Sequence, residues 1–166
     1  MNRRMRGIYV VEFAIIGLLL FILLFGVIEM GRLYFTVNTL SETVRRGARL
    51  AAVCDISDPV ILRRAIFNAA SDSGGSDLIA NLETADLSLI YLDGNGAVVP
   101  APGDTTGPNG FRAIRYVQLR VDNFAFDLLI PVLGTQLTLP SFRATLPRES
   151  LGRHAEEGIT PEITPC

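Results

Sequence analysis

The chain has 166 residues, with 17 acidic and 15 basic side chains and a net charge of −2. That length allows one small domain plus an anchor rather than two full domains, and the weakly acidic balance gives no electrostatic footing for a nucleic-acid partner. Hydrophobic residues make up 49% of the chain, and the excess is concentrated near the front.

The first seven residues, Met-Asn-Arg-Arg-Met-Arg-Gly, carry three arginines and no acid. Residues 13–28 follow as FAIIGLLLFILLFGVI, without a charged or polar side chain. With Ile8–Glu12 included the stretch reaches 21 residues, roughly 31 Å of helix against a hydrocarbon core of about 30 Å. A buried core helix of this length would show a polar face, and this one shows none. A membrane span at about residues 8–28 is therefore expected.

A removable secretory signal is the first rival. The run ends in Glu29-Met30-Gly31-Arg32, which puts a charge where a small residue should precede the cut. The Leu50–Cys54 segment lies far beyond the run and has Val53 where a lipoprotein site needs a small residue. The span is read as retained. Arginines occur on both sides of it, so charge counting alone leaves its orientation open.

Beyond the span, Leu33, Val37, Leu40, Val44, Ala48 and Ala51 recur at helical spacing. One helix is expected over residues 8–53, apolar all round in its first half and along one face in its second. Glu42 stands three and four residues ahead of Arg45 and Arg46, the spacing of supporting ion pairs.

A second helix is expected to start at Asp58-Pro59, capped by Asp58 or Ser57, with Leu62, Ala65, Ile66 and Ala69 inward, ending before Ser73. Three or four strands follow. Leu87–Leu92 leads through the turn Asp93-Gly94-Asn95-Gly96 to a short return at Ala97–Val99. Residues 101–110, APGDTTGPNG, read as a flexible loop. Arg112–Val121 alternates, with Val117, Leu119 and Val121 on one face. The last strand changes phase between Leu139 and Phe142, and Pro140 at the change suggests a bulge or an edge. The class is α+β: an antiparallel sheet receiving the stripe of the long helix. The head covers residues 54–151, and the Pro-containing tail 152–166 lacks periodicity and is expected to be loosely ordered.

Phe124, Phe126, Leu129, Ile130, Val132 and Leu133 crowd around Pro131. They are either core closing the sheet or an exposed patch for a partner or the membrane surface. Catalysis finds no footing in the sequence. His154 is the one histidine, and with two distant cysteines it makes no zinc site. No nucleophile elbow, metalloprotease motif or phosphate loop occurs, and no cofactor or metal is expected.

Three features carry a resemblance. Gly7 is followed by Ile8-Tyr9-Val10-Val11-Glu12-Phe13, a basic leader, a glycine and a glutamate five residues on. The span exits through Ile28-Glu29-Met30-Gly31-Arg32, and Arg45-Arg46-Gly47-Ala48-Arg49 precedes an Ala-rich segment. The second half offers Tyr116–Val121, Leu129-Ile130-Pro131-Val132-Leu133 and a Leu/Thr-rich strand. Together these resemble TadE-like minor pilins of the tight-adherence (Tad/Flp) pilus system.

The resemblance implies a pilin-like fold, a leader of residues 1–7 and cleavage between Gly7 and Ile8 by a prepilin peptidase. The small Gly7 would give the enzyme backbone access. The freed amine of Ile8 would lie one turn from Glu12, about 6 Å along the axis, and the amine of one subunit could pair with Glu12 of its neighbour. The alternative is a Glu12 solvated at the headgroup boundary. The implied partners are the peptidase, other minor pilins, the major pilin, the inner-membrane assembly platform and membrane lipid. The implied location is a single pass through a bacterial inner membrane, with the head in the periplasm or at a pilus tip. There Cys54 and Cys166 would form a disulfide or remain two unrelated thiols. A permanently anchored periplasmic binding protein is the rival functional reading.

Overall fold

The structure, a computed structural model, describes residues 6–56, 58–72, 74–129, 134–153, 163 and 166. Its elements are helix α1 (Arg6–Val53), helix α2 (Pro59–Ala65) and strands β1 (Leu87–Leu92), β2 (Tyr116–Val121), β3 (Ala125–Asp127), β4 (Gln136–Thr138) and β5 (Phe142–Pro147). The class is α+β, with a long N-terminal apolar helix and a small antiparallel sheet. The chain divides into two compact units, Met1–Thr36 with Phe126–Leu137, and Val37–Ala125 with Thr138–Cys166.

In the first unit the front of α1 carries bare apolar side chains, up to 78% exposed at Phe13. Among the described residues this is the one helix long and apolar enough to cross a membrane. A helix suits that medium because every interior amide is bonded within the segment. β3 and β4 pair as a two-stranded ribbon, closed by the Leu128 amide donating to the Thr135 carbonyl at 3.1 Å.

The second unit is the head. Its sheet has the order β1-β2-β5, all antiparallel, with Leu87 opposite Val121 and Val121 opposite Phe142. The alternation on β2 buries Val117, Leu119 and Val121 completely. On the second half of α1, Leu40, Val44, Ala48 and Ala51 are buried, and Thr39 and Thr43 join the buried face. The Thr43 hydroxyl donates to the Thr39 carbonyl at 3.0 Å, so a polar side chain sits in the core without an orphaned group. Among the described residues no ion pair joins Glu42 to Arg45 or Arg46. The Arg46 guanidinium lies over the Phe67 ring instead, 5.1 Å from its centre.

Helix and sheet approach closely at Gly47, where an added Cβ would collide with Leu119 and press on Ala65. Overpacking of this kind costs about 1–3 kcal/mol, against up to about 1 kcal/mol gained in helix propensity. Gly47→Ala is therefore expected to destabilise the head by about 1–2 kcal/mol. Gly31→Ala, with no atom within 4 Å of the new methyl, is expected to cost nothing. Denaturant midpoints of the two detergent-solubilised variants check this. Equal midpoints would deny the close approach at Gly47.

Several expected boundaries move. α2 starts as expected, with the Asp58 carboxylate accepting from the Val60 amide at 2.9 Å, but it ends at Ala65. Phe67 adopts a left-handed φ of 69°, its amide bonds the Arg64 carbonyl and the Asn68 amide bonds the Arg63 carbonyl. That is a Schellman stop with Phe in the place Gly usually takes. Ile61 is buried rather than Leu62, and Ala69 is exposed. Buried Asn68 donates to the Gly74 and Gly75 carbonyls and accepts from the Asp77 amide, organising the following loop.

The strand expected from Arg112 begins only at Tyr116, because Phe111–Ala113 forms a 3-10 turn. Ala97–Val99 contributes a single bridge, Leu92 to Val98, rather than a strand. The expected last strand is two strands: β4 pairs with β3, and β5 joins the main sheet. Pro140 lies in the break, where no amide is needed.

Loop 101–110 is tied rather than loose. The Asp104 side chain accepts from the Thr106 hydroxyl and from the Thr106 and Gly107 amides. Those bonds, the Thr106 hydroxyl first, hold the Asp104 carboxyl below its usual range.

Candidate functional site: the helix entry and the membrane exit

Two stretches of α1 carry its chemistry. At the entry, Gly7 and Ile8 lie in the first helical turns, and Ile8 is exposed. Glu12 follows one turn later, exposed on the helix, and no described side chain reaches its carboxylate. At the centre of a membrane-spanning helix a comparable charge costs about 2.5–3.5 kcal/mol on insertion scales. The arrangement thus offers an acceptor to a cation from outside the described chain.

The exit, about 26 Å further along the helix, is built differently. Glu29 is 5% exposed, yet both of its oxygens are engaged. Oε1 accepts from Arg32 Nη1 at 2.9 Å, and Oε2 accepts from the Leu129 amide at 3.1 Å. The Arg32 guanidinium also lies 5.1 Å from the centre of the Phe126 ring, and its carbonyl accepts from the Thr36 hydroxyl at 3.0 Å. Pairing and hydrogen bonding offset the desolvation that an isolated buried carboxylate would suffer. The i, i+3 spacing of Glu29 and Arg32 is visible in the sequence. The Leu129 amide, 100 residues away, left no local signal. Beside this cluster lies an apolar groove of about 510 Å³, lined by Leu23, Gly26, Val27, Leu33, Leu128 and Leu137 with Glu29 and Met30.

The family model for TadE-like proteins matches residues 7–49. The match takes in Gly7, Glu12, the whole apolar run, the Glu29–Arg32 pair and Arg45–Arg49. Over those residues the chain is similar to TadE-like proteins. This family belongs to the Tad pilus and is not one of enzymes. No curated protein and no solved structure matches the chain. Among the described residues, the one N-terminal apolar helix is compatible with a one-pass membrane anchor.

The remaining candidate residues separate. Phe124 and Phe126 are each 5% exposed, so their rings are core rather than surface. Phe126 is the inward residue of β3 and lies against the Arg32 guanidinium, and Phe124 precedes that strand. Leu129 is 64% exposed. Ile130, Val132 and Leu133 lie outside the described residues, as do the leader residues 1–5 and His154. Cys54 and Cys166 are joined by a disulfide with Cα atoms 5.5 Å apart. Among the described residues, no group of three His, Cys, Asp or Glu could hold a metal ion.

Proposed function

We propose that this TadE-like chain is a minor pilin of a Tad/Flp-type pilus. A prepilin peptidase cuts it between Gly7 and Ile8. The assembly platform of the inner membrane then brings it together with other minor pilins and the major pilin, its head in the periplasm or at the filament tip. The observation that carries this reading is the family match itself, which begins at Gly7 and ends inside the second half of α1. Glu12 supports it as an unpaired intramembrane acceptor placed one turn from the amine that cleavage would create.

Size supports a minor role. In the family the chain resembles, major pilins are little more than the N-terminal helix, whereas here a disulfide-closed head follows Val53. A head at every position would crowd a filament made of bare helices. A tip or a membrane-bound priming complex accommodates it.

Intact-mass measurement of the protein from peptidase-positive cells is expected to show loss of residues 1–7, and full length in peptidase-deficient cells. In sheared pili the chain should be far less abundant than the major pilin. A mature protein still beginning at Met1 in peptidase-positive cells would overturn this reading and favour the permanently anchored binding protein.

A further inference from the structure

The β3–β4 ribbon runs down α1 toward the span. Phe126 lies against Arg32, the Leu129 amide meets Glu29, and Leu128 shares the groove with Leu23. Leu23 is six residues before Glu29, about 9 Å deeper along the helix. If residues 8–28 fill the hydrocarbon core, Leu23, Gly26 and Val27 already face acyl chains. The groove they line is a continuation of that lipid-covered surface. Its ribbon side is equally apolar, through Leu128 and Leu137, and Leu129 and Leu137 remain 64% and 41% exposed. The polar pair of the ribbon, Gln136 donating to Asp127 at 2.9 Å, is exposed. No charged residue occurs in the sequence between Asp127 and Arg143.

We infer that the ribbon is a second membrane contact. Leu128, Leu129 and Leu137 enter the leaflet into which the helix exits, and acyl chains fill the groove. The Glu29–Arg32 pair, bonded to the Leu129 amide, sits at the headgroup boundary and clamps the ribbon at that depth. An apolar loop beside a helix exit gains lipid burial, and the Leu128 and Leu129 amides are already bonded, to the Thr135 carbonyl and the Glu29 carboxylate, which lowers the cost of taking them out of water. This inference rests on the anchored reading of α1.

The test uses the full-length protein reconstituted in phosphatidylcholine vesicles. Environment-sensitive labels are placed at Leu129→Cys, Leu137→Cys, Leu20→Cys and Asn95→Cys, with the Cys54–Cys166 bridge left oxidised. Leu20 reports the span, and Asn95 reports a polar turn. Labels at 129 and 137 should be quenched by lipids brominated at shallow acyl positions, and several-fold less by aqueous iodide than the label at 95. The label at 20 should respond to deep bromines. If 129 and 137 respond to iodide like 95 while 20 stays in the bilayer, the inference fails and the anchor stands. Shielding of 129 and 137 from both quenchers would assign the groove to a second copy of the chain and overturn the lipid assignment. A label at 20 that responds to iodide would remove the anchor, and the inference with it.

Discussion

Cys166→Ser lowers the stability of the head by about 2–5 kcal/mol. The bridge it removes spans a sequence separation of 112 residues, and the chain-entropy model gives about 5 kcal/mol for a loop of that size. Measured losses for native bridges in small secreted domains run to about 2–5 kcal/mol. The bridge also joins elements that hold each other by weaker means. The Glu149 and Leu151 amides donate to the Ala52 carbonyl, and the Gly152 amide donates to that of Val53. These satisfy carbonyls that the end of α1 would otherwise leave open. Arg153 pairs with Asp55 at 2.7 Å, and the Cys166 amide reaches the Asp58 carboxylate at 3.3 Å. Cys166 is the cleaner position to change, because Cys54 is 5% exposed and a serine in its place would bury a hydroxyl. Urea unfolding of the full-length protein in detergent, followed by near-ultraviolet circular dichroism with and without reductant, measures the loss. Unchanged stability in Cys166→Ser, matched by insensitivity of the parent to reductant, would show that the 149–153 contacts suffice alone.

What the sequence discloses about this fold depends on the range of the interaction that sets each feature. The long apolar helix is legible because its length and its uninterrupted apolar surface stand out in the sequence, a reading that needs no partner residue. Strand β2 is legible because Val117, Leu119 and Val121 alternate with polar neighbours, and a half-buried sheet requires that period. The helical stripe is legible at Leu40, Val44, Ala48 and Ala51. It is understated at Thr39 and Thr43, since nothing local tells that a hydroxyl will bond within its own helix.

The misread features depend on something distant or on an unusual residue. α2 stops at Ala65 because Phe67 accepts a left-handed conformation beneath Arg46, a place where glycine is the usual signal. Pro140 marks a change of phase, but whether strands bulge or separate there depends on β3, which offers Gln136–Thr138 another partner. At the site, Gly7 and Glu12 are local and readable. The engagement of Glu29 is not, because its second donor comes from a loop 100 residues away. Phe124 and Phe126 belong to an apolar run whose inward and outward members cannot be separated until the strand period and the Arg32 contact are known.

Glu12→Val leaves the protein in the membrane and abolishes or severely reduces piliation. Insertion is not at risk, because the change removes a carboxylate, whose cost in a membrane helix rises to about 2.5–3.5 kcal/mol at the bilayer centre. The effect on assembly has the opposite sign. If cleavage frees the Ile8 amine, that cation enters a low-dielectric surrounding, where a buried charge left without its partner costs about 3–5 kcal/mol. Glu12 is the carboxylate within the stretch that can meet it, and no described side chain occupies it, so the neighbouring subunit's amine has open access. Glu12→Gln sharpens the test by keeping the shape and a hydrogen-bonding oxygen while removing the charge. If charge is what matters, Gln fails as Val does. If shape or hydrogen bonding is enough, Gln restores pili. Cleavage after Gly7 is checked by mass in both variants, which separates loss of assembly from loss of processing. Normal piliation in Glu12→Val, at unchanged protein level and with intact cleavage, would show that the carboxylate is a solvated boundary charge with no part in assembly.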